Sequence, residues 1–187
     1  MFVKKLSVLL IVLLFLGGCS GKQEELERAM TLRAKLLASE CSFDAKITAD
    51  YGDKLYVFAM TCQGDSRGNL TFTVTEPESI AGITGIISQD GGRLTFDNTA
   101  LAFPLMADDQ LTPVSAPWIF LKTLRGGYLT SANTEEELLH LTIDDSYEED
   151  ALQLDIWLDG QNLPVQSDIL YDGRRILTVQ VSNFTLR

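Results

Sequence analysis

Cys41-Ser42-Phe43-Asp44-Ala45-Lys46-Ile47-Thr48-Ala49-Asp50-Tyr51 alternates without a slip. Phe43, Ala45, Ile47, Ala49 and Tyr51 oppose Asp44, Lys46, Thr48 and Asp50, which is the two-residue period of a strand with one buried and one wetted face. Downstream, Tyr51-Gly52-Asp53-Lys54 reads as a hairpin turn into a more apolar strand, Leu55 to Cys62. Asn69 to Thr75 alternates again through Leu70, Phe72 and Val74. After Pro77 come a strand from Ile80 to Ser88, a Gln89-Asp90-Gly91-Gly92 turn, and strands at Arg93 to Phe96 and Leu101 to Leu105.

The pattern then breaks. Ala107 to Ala116 reads as a loop, and Pro117 to Leu124 as a short helix, with proline in its first turn and Gly126-Gly127 as its stop. Strands resume at Glu137 to Ile143, Ala151 to Leu158, Leu163 to Tyr171 and Arg175 to Leu186. Asp159-Gly160 and Asp172-Gly173 are hairpin turn signals. About ten strands joined by consecutive hairpins predict one large curved antiparallel sheet, mainly β with α, whose concave face the helices cover.

Upstream of Cys41, Glu24 to Ala38 reads as a helix, with Glu24, Glu25 and Glu27 early and Arg28, Arg33 and Lys35 late, as the helix dipole favours. Leu26, Ala29, Met30, Leu36 and Leu37 give it an apolar stripe. Ser20 to Gln23 reads as a tether. Before that, Lys4-Lys5, an apolar run from Leu6 to Leu16 and Gly17-Gly18 form the pattern of an export signal over residues 1–18. The run falls short of the roughly 20 residues a membrane span needs. Cys19, directly after Leu16-Gly17-Gly18, resembles a bacterial lipobox. The small residues let an extended backbone enter the signal peptidase, and the thiol accepts a diacylglyceryl group. Cys19 is therefore the expected lipidation site, and residues 24–187 form the single domain it anchors.

The chain carries a formal charge of −11, and loss of the leader's two lysines leaves it more acidic. Such a balance argues against nucleic acid and against a basic membrane-docking face. Cys41 and Cys62 fall on neighbouring strands in a compartment that permits disulfides. The predicted turn sets them near-opposite, so a Cys41–Cys62 disulfide is expected, given a bulge or a slightly different turn; two buried free thiols are the alternative. The single histidine, His140, lies between Leu139 and Leu141 and reads as structural. No zinc-ligand cluster, serine elbow or phosphate-cradling glycine loop is present. No catalytic residue, metal or cofactor is expected, so the protein is read as a non-enzyme. The acidic run Asp144 to Asp150 reads as a solvated turn.

Two stretches carry a resemblance. Gly68 to Ile83 (Gly-Asn-Leu-Thr-Phe-Thr-Val-Thr-Glu-Pro-Glu-Ser-Ile-Ala-Gly-Ile) resembles a strand–proline–strand crossing. Leu152 to Phe184 resembles a closing hairpin array, with Leu163-Pro164-Val165 between two Asp-Gly turns. Both are similar to the LolA-like family of lipoprotein carriers, RseB-type sensors and LppX-type mycobacterial lipoproteins. That resemblance implies an unclosed antiparallel half-barrel with helices over its mouth. It also implies an apolar cavity, lined by Phe43, Ile47, Phe58, Phe72, Val74 and Phe96 from the sheet and by Trp118, Ile119 and Phe120 from the interrupting helix. The same side chains could instead make a dry core. The lipobox departs from the family's soluble shuttles and is closer to its anchored Gram-positive members. By resemblance, the expected place is the outer leaflet of the plasma membrane, facing outward. Two functions are expected: binding of lipid or another apolar ligand, or non-enzymatic docking of an envelope or sporulation protein, for which Asp108-Asp109 and Asp144 to Asp150 offer acidic loops.

Overall fold

In the computed structural model, the described residues are 20–187 without 98, 108–109 and 149–150. The expected leader and Cys19 lie outside them. The alternation from Cys41 becomes strand β1 (Cys41–Asp50), whose odd-numbered side chains are all buried. It pairs with β2 (Leu55–Gly64) in one unbroken register, from Cys41 opposite Gly64 to Asp50 opposite Leu55. The Tyr51 amide donates to the Lys54 carbonyl at 3.0 Å and closes the expected turn.

On the β2 side the sheet continues through β3 (Leu70–Glu76), β4 (Thr84–Ser88), β5 (Gly91–Phe96) and β6 (Thr99–Phe103). On its other side β1 pairs with β13 (Arg174–Leu186), followed outward by β12 (Pro164–Tyr171), β11 (Gln153–Leu158), β10 (Leu138–Asp144) and β9 (Tyr128–Glu135). All eleven strands form one antiparallel sheet with β6 and β9 at opposite edges, so it does not close on itself. This is the unclosed half-barrel that the family resemblance implies. A separate two-stranded ribbon, β7 (Met106–Ala107) with β8 (Gln110–Leu111), stands within the stretch read as a loop.

Two helices sit on the inner face. Helix α1 (Ser20–Ala38) buries Ala29, Leu32 and Leu36. It is pinned by Glu25 accepting from the Thr134 hydroxyl at 2.7 Å and by the Arg28 Nε donating to Asn162 at 2.6 Å. Helix α2 (Ala116–Gly126) is buried on nearly every side, with Lys122 left to solvent. A helix apolar around most of its girth belongs inside a core. It packs against β2, β10, β12 and β13, and Leu139, Leu141, Leu177 and Val179 of those strands share the buried core with it. Each such side chain contributes about 1.5–3 kcal/mol by leaving water.

Besides the β7–β8 ribbon, the structure departs from the sequence reading along α1 and in four further places. On α1, Leu26, Met30 and Leu37 of the expected apolar stripe are exposed, and Leu32 is buried in their stead. The expected tether Ser20 to Gln23 is the first turn of α1. Residues 78–82 form a turn, so β4 starts at Thr84. The Val74 carbonyl accepts from Gly82, the Val74 amide donates to Ile83, and Gly82 has φ +88°, a left-handed backbone that glycine adopts at no steric cost. Strand β9, residues 128–135, stands where the sequence reading assigns no element before the strand expected from Glu137. Finally, the expected Cys41–Cys62 disulfide is not formed, and both thiols are free and buried. The hairpin keeps its plain register, so Cys41 faces Gly64 and Cys62 faces Phe43. The cysteines are diagonal neighbours, which lie several ångströms farther apart than the roughly 3.8 Å between Cβ atoms that a disulfide requires.

Candidate functional site: an apolar groove beside the second helix

Helix α2 covers the middle of the concave face but not its β3–β6 wing. There Leu94, Phe96, Leu101 and Phe103 continue the inner face, since Leu94 pairs with Leu101 and Gly92 with Phe103. Phe96 is 55% exposed and Leu101 63%. Exposed apolar side chains grouped on one concave surface mark a binding groove more often than a packing fault.

Where that wing meets the rest of the sheet lies a groove of about 490 Å³. Phe58, Val74 and Leu94 form its floor, and Ile80 and Ile83 come from the turn before β4. Tyr51, Lys54 and Tyr56 form the hairpin side, while Leu111 to Val114 form the opposite wall. A hollow of this size, mostly apolar with a few polar groups, has the dimensions of a small-ligand site. Two other hollows, of about 350 and 560 Å³, lie against the convex face and are lined largely by threonines and charged side chains.

Local hydrogen bonds hold the 111–114 wall. The Tyr51 hydroxyl donates to the Leu111 carbonyl. The Thr112 amide donates to Leu105 and its hydroxyl to Pro104, both at 2.9 Å. The Ser115 hydroxyl donates back to Thr112 at 2.6 Å, inside a one-turn 3₁₀ helix, Pro113–Ser115, that leads into α2. The Trp118 indole donates to the Gly68 carbonyl at 2.9 Å and ties α2 to the loop between β2 and β3. Burial, with the Tyr56 phenol alongside, pushes the Tyr51 phenol above its ordinary value and keeps it a donor. Among the described residues of the lining, Lys54 is the one charged side chain.

Of the nine side chains expected to line a cavity, Phe58 and Val74 reach this groove. Phe43, Ile47, Phe72, Trp118, Ile119 and Phe120 are buried in the core. Phe43 packs edge-on to Phe120 and stacked on Phe184, with ring centres 5.9 and 5.5 Å away. Phe96 lies on the same inner face as Leu94 but outside the groove. Sequence reasoning did not find Leu111, Val114, Ile80, Ile83 or the two tyrosines as lining. Tyr51 was within reach, because it extends the β1 alternation; Leu111 and Val114 sit in a stretch with no period at all.

His140 lies on the convex side. It stacks on Trp157 at 4.7 Å, and its ring nitrogens stand 3.1 Å from Glu135 and from Asp155. The Thr142 hydroxyl joins it by donating to Asp155 at 2.9 Å, and the cluster braces β9, β10 and β11. Among the described residues, no three metal-ligating side chains come together, and no helix is long and apolar enough to cross a membrane.

No protein-family model matches the chain, and no curated protein sequence is similar to it. Solved structures are similar in architecture. An uncharacterised conserved protein from Thermus thermophilus aligns over 88% of this chain and 86% of its own, at 13% identity and a TM-score of 0.47. A LolA superfamily protein from Nitrosomonas europaea aligns over 85% and 93%, at 9% identity and 0.43. The lipoprotein LprF from Mycobacterium bovis aligns over 88% and 94%, at 10% identity and 0.45. At such identities no residue's role carries across.

Proposed function

We propose that this protein is a lipid-anchored extracytoplasmic lipoprotein whose half-barrel binds a lipid or another apolar ligand in the groove beside α2. One observation carries the ligand half of this reading: about 490 Å³ of mostly apolar hollow on the concave face, at the place where the helical cover stops. A sheet that curves without closing leaves apolar surface which either a helix or a ligand must shield from water. Helix α2 shields one half.

The anchor half is supported by the basic, apolar and small-residue leader ending at Cys19. Multiple acyl chains, at about 0.8 kcal/mol per buried methylene, would hold the domain at the outer face of the membrane. Its part there would be binding, not catalysis. Native mass spectrometry of protein purified from membranes tests both halves. The expected result is an N-terminal peptide beginning at acylated Cys19 and a co-purifying lipid. An unmodified thiol at position 19 removes the anchor, and absence of any lipid under gentle extraction counts against the ligand.

A second function, docking of an envelope protein, is supported by the β6 edge. Thr99–Phe103 is an uncharged strand with its outer backbone edge unpaired, a template for strand addition. Crosslinking in membranes that recovers a stoichiometric partner through β6 would favour it.

A further inference from the structure

We infer that the groove selects a single-chain amphiphile with an anionic head, the carboxylate of a fatty acid or the phosphate of a lysophospholipid. This rests on the groove being the ligand site and adds the class of ligand.

Size gives the first part. A methylene takes about the room of a water molecule, roughly 30 Å³, so 490 Å³ holds on the order of sixteen such groups. That is one acyl chain. A diacyl lipid would find no room for its second chain within the hollow itself.

Charge gives the second part. The chain is strongly acidic overall, at −11, yet among the described residues lining the groove none is acidic and one, Lys54, is cationic. Lys54 sits on the hairpin at the groove's rim and makes no ion pair among the described residues. The Arg174 guanidinium lies over Gly52 of the same hairpin, and Asp53 stands next to Lys54 in its turn; neither lines the groove. The neighbouring Asp50 carboxylate is turned onto the Gly52 amide at 2.8 Å. A chain laid over Phe58 and Val74 with its head at this rim would meet the Lys54 ammonium. An acidic chain with a basic rim on its apolar groove is complementary to an anionic head.

Displacement of cis-parinaric acid from the delipidated protein tests this, with palmitate, palmitoyl lysophosphatidate, hexadecanol and dipalmitoyl phosphatidylcholine as competitors. The expected result is saturable displacement by one or both anionic single-chain lipids, with hexadecanol about threefold to fivefold weaker, the size of one partly exposed ion pair. Lys54→Gln should lower the anionic competitor to the level of hexadecanol and leave hexadecanol unchanged. Which anionic competitor binds names the source of the head. Equal binding of palmitate and hexadecanol, or no effect of Lys54→Gln, overturns the anionic head but leaves the groove as an apolar site. Tighter competition by phosphatidylcholine overturns the single chain. Failure of parinaric acid and every competitor to bind overturns the groove itself.

Discussion

Tyr51 donates its phenolic proton to the backbone carbonyl of Leu111, a residue sixty positions away, and so fastens the segment forming one wall of the groove to the end of the first strand. Among the described residues, this is the one side-chain hydrogen bond from the wall to the β1–β2 hairpin.

Tyr51→Phe keeps the ring and removes the donor, leaving the Leu111 carbonyl short of a partner. A loss of about 1 kcal/mol in unfolding free energy is expected, a fall in Tm of roughly 2–4 °C for a domain of this size, together with faster amide exchange at 111–114. The phenol's value is raised in the folded state, so its contribution is complete below the ordinary tyrosine value of 10.0 and is lost as pH climbs through the raised one. Stability of the unaltered protein should therefore decline more steeply above pH 10 than that of Tyr51→Phe, in denaturant titrations at several pH values.

Cys41 and Cys62 should be unreactive in the folded protein. Burial pushes both thiols above their ordinary value. Against this, Arg125 and a hydrogen bond with the Gly64 backbone partly offset the shift at Cys41; at Cys62, Asp44 and Cys41 add to it. Only the thiolate is nucleophilic. Iodoacetamide at neutral pH is expected to label neither until the chain unfolds, and then to label both without reductant. Labelling of neither in urea would reveal a disulfide.

Gly64 is required by close approach. A methyl group there would lie 2.4 Å from a Leu121 methyl carbon and 2.9 Å from the Cys41 sulfur, so it would wedge α2 off the sheet. Gly64→Ala should cost about 1–3 kcal/mol, as overpacking of a full core does, read from chemical denaturation. Gly160→Ala, with open space around it, serves as the matched control with little change.

The turn between β9 and β10 is strained. Glu135 pairs with Leu138, and Glu136 and Glu137 hold φ of 47° and 73°, the left-handed region that costs a side-chain-bearing residue about 1–2 kcal/mol. Replacing the pair by Asn-Gly, the favoured sequence for such a turn, is expected to raise Tm by several degrees with the fold unchanged in its circular dichroism.

That turn also shows why part of the sheet could not be read from the sequence. Asp172-Gly173 adopts left-handed φ of 47° and 69° and was legible, because Asp-Gly is what the geometry asks for. Glu136-Glu137 does the same with residues that carry no such signal, so β9 before it went unread. Its own sequence, Tyr128–Glu135, has few large apolar side chains because it is an edge strand. The alternation of β1, β3 and β10 predicts their faces residue by residue, since both sides of each strand are committed. Residues 105–114 have no period because tertiary ties, from Tyr51 and from Thr112 to Pro104, place them. The groove was only half legible for the same reason. Its floor comes from strands, and its wall comes from a segment that local sequence does not specify.

The most direct measurement is photolabelling. The protein is irradiated with a 16-carbon fatty acid bearing a diazirine near its methyl end, and the modified peptides are identified by mass spectrometry. Modification confined to the stretches containing residues 51–58, 74–83, 94 and 111–114, and abolished by excess palmitate, is the expected result. Labelling spread over the convex face or unaffected by the competitor would contradict an apolar binding groove in this half-barrel.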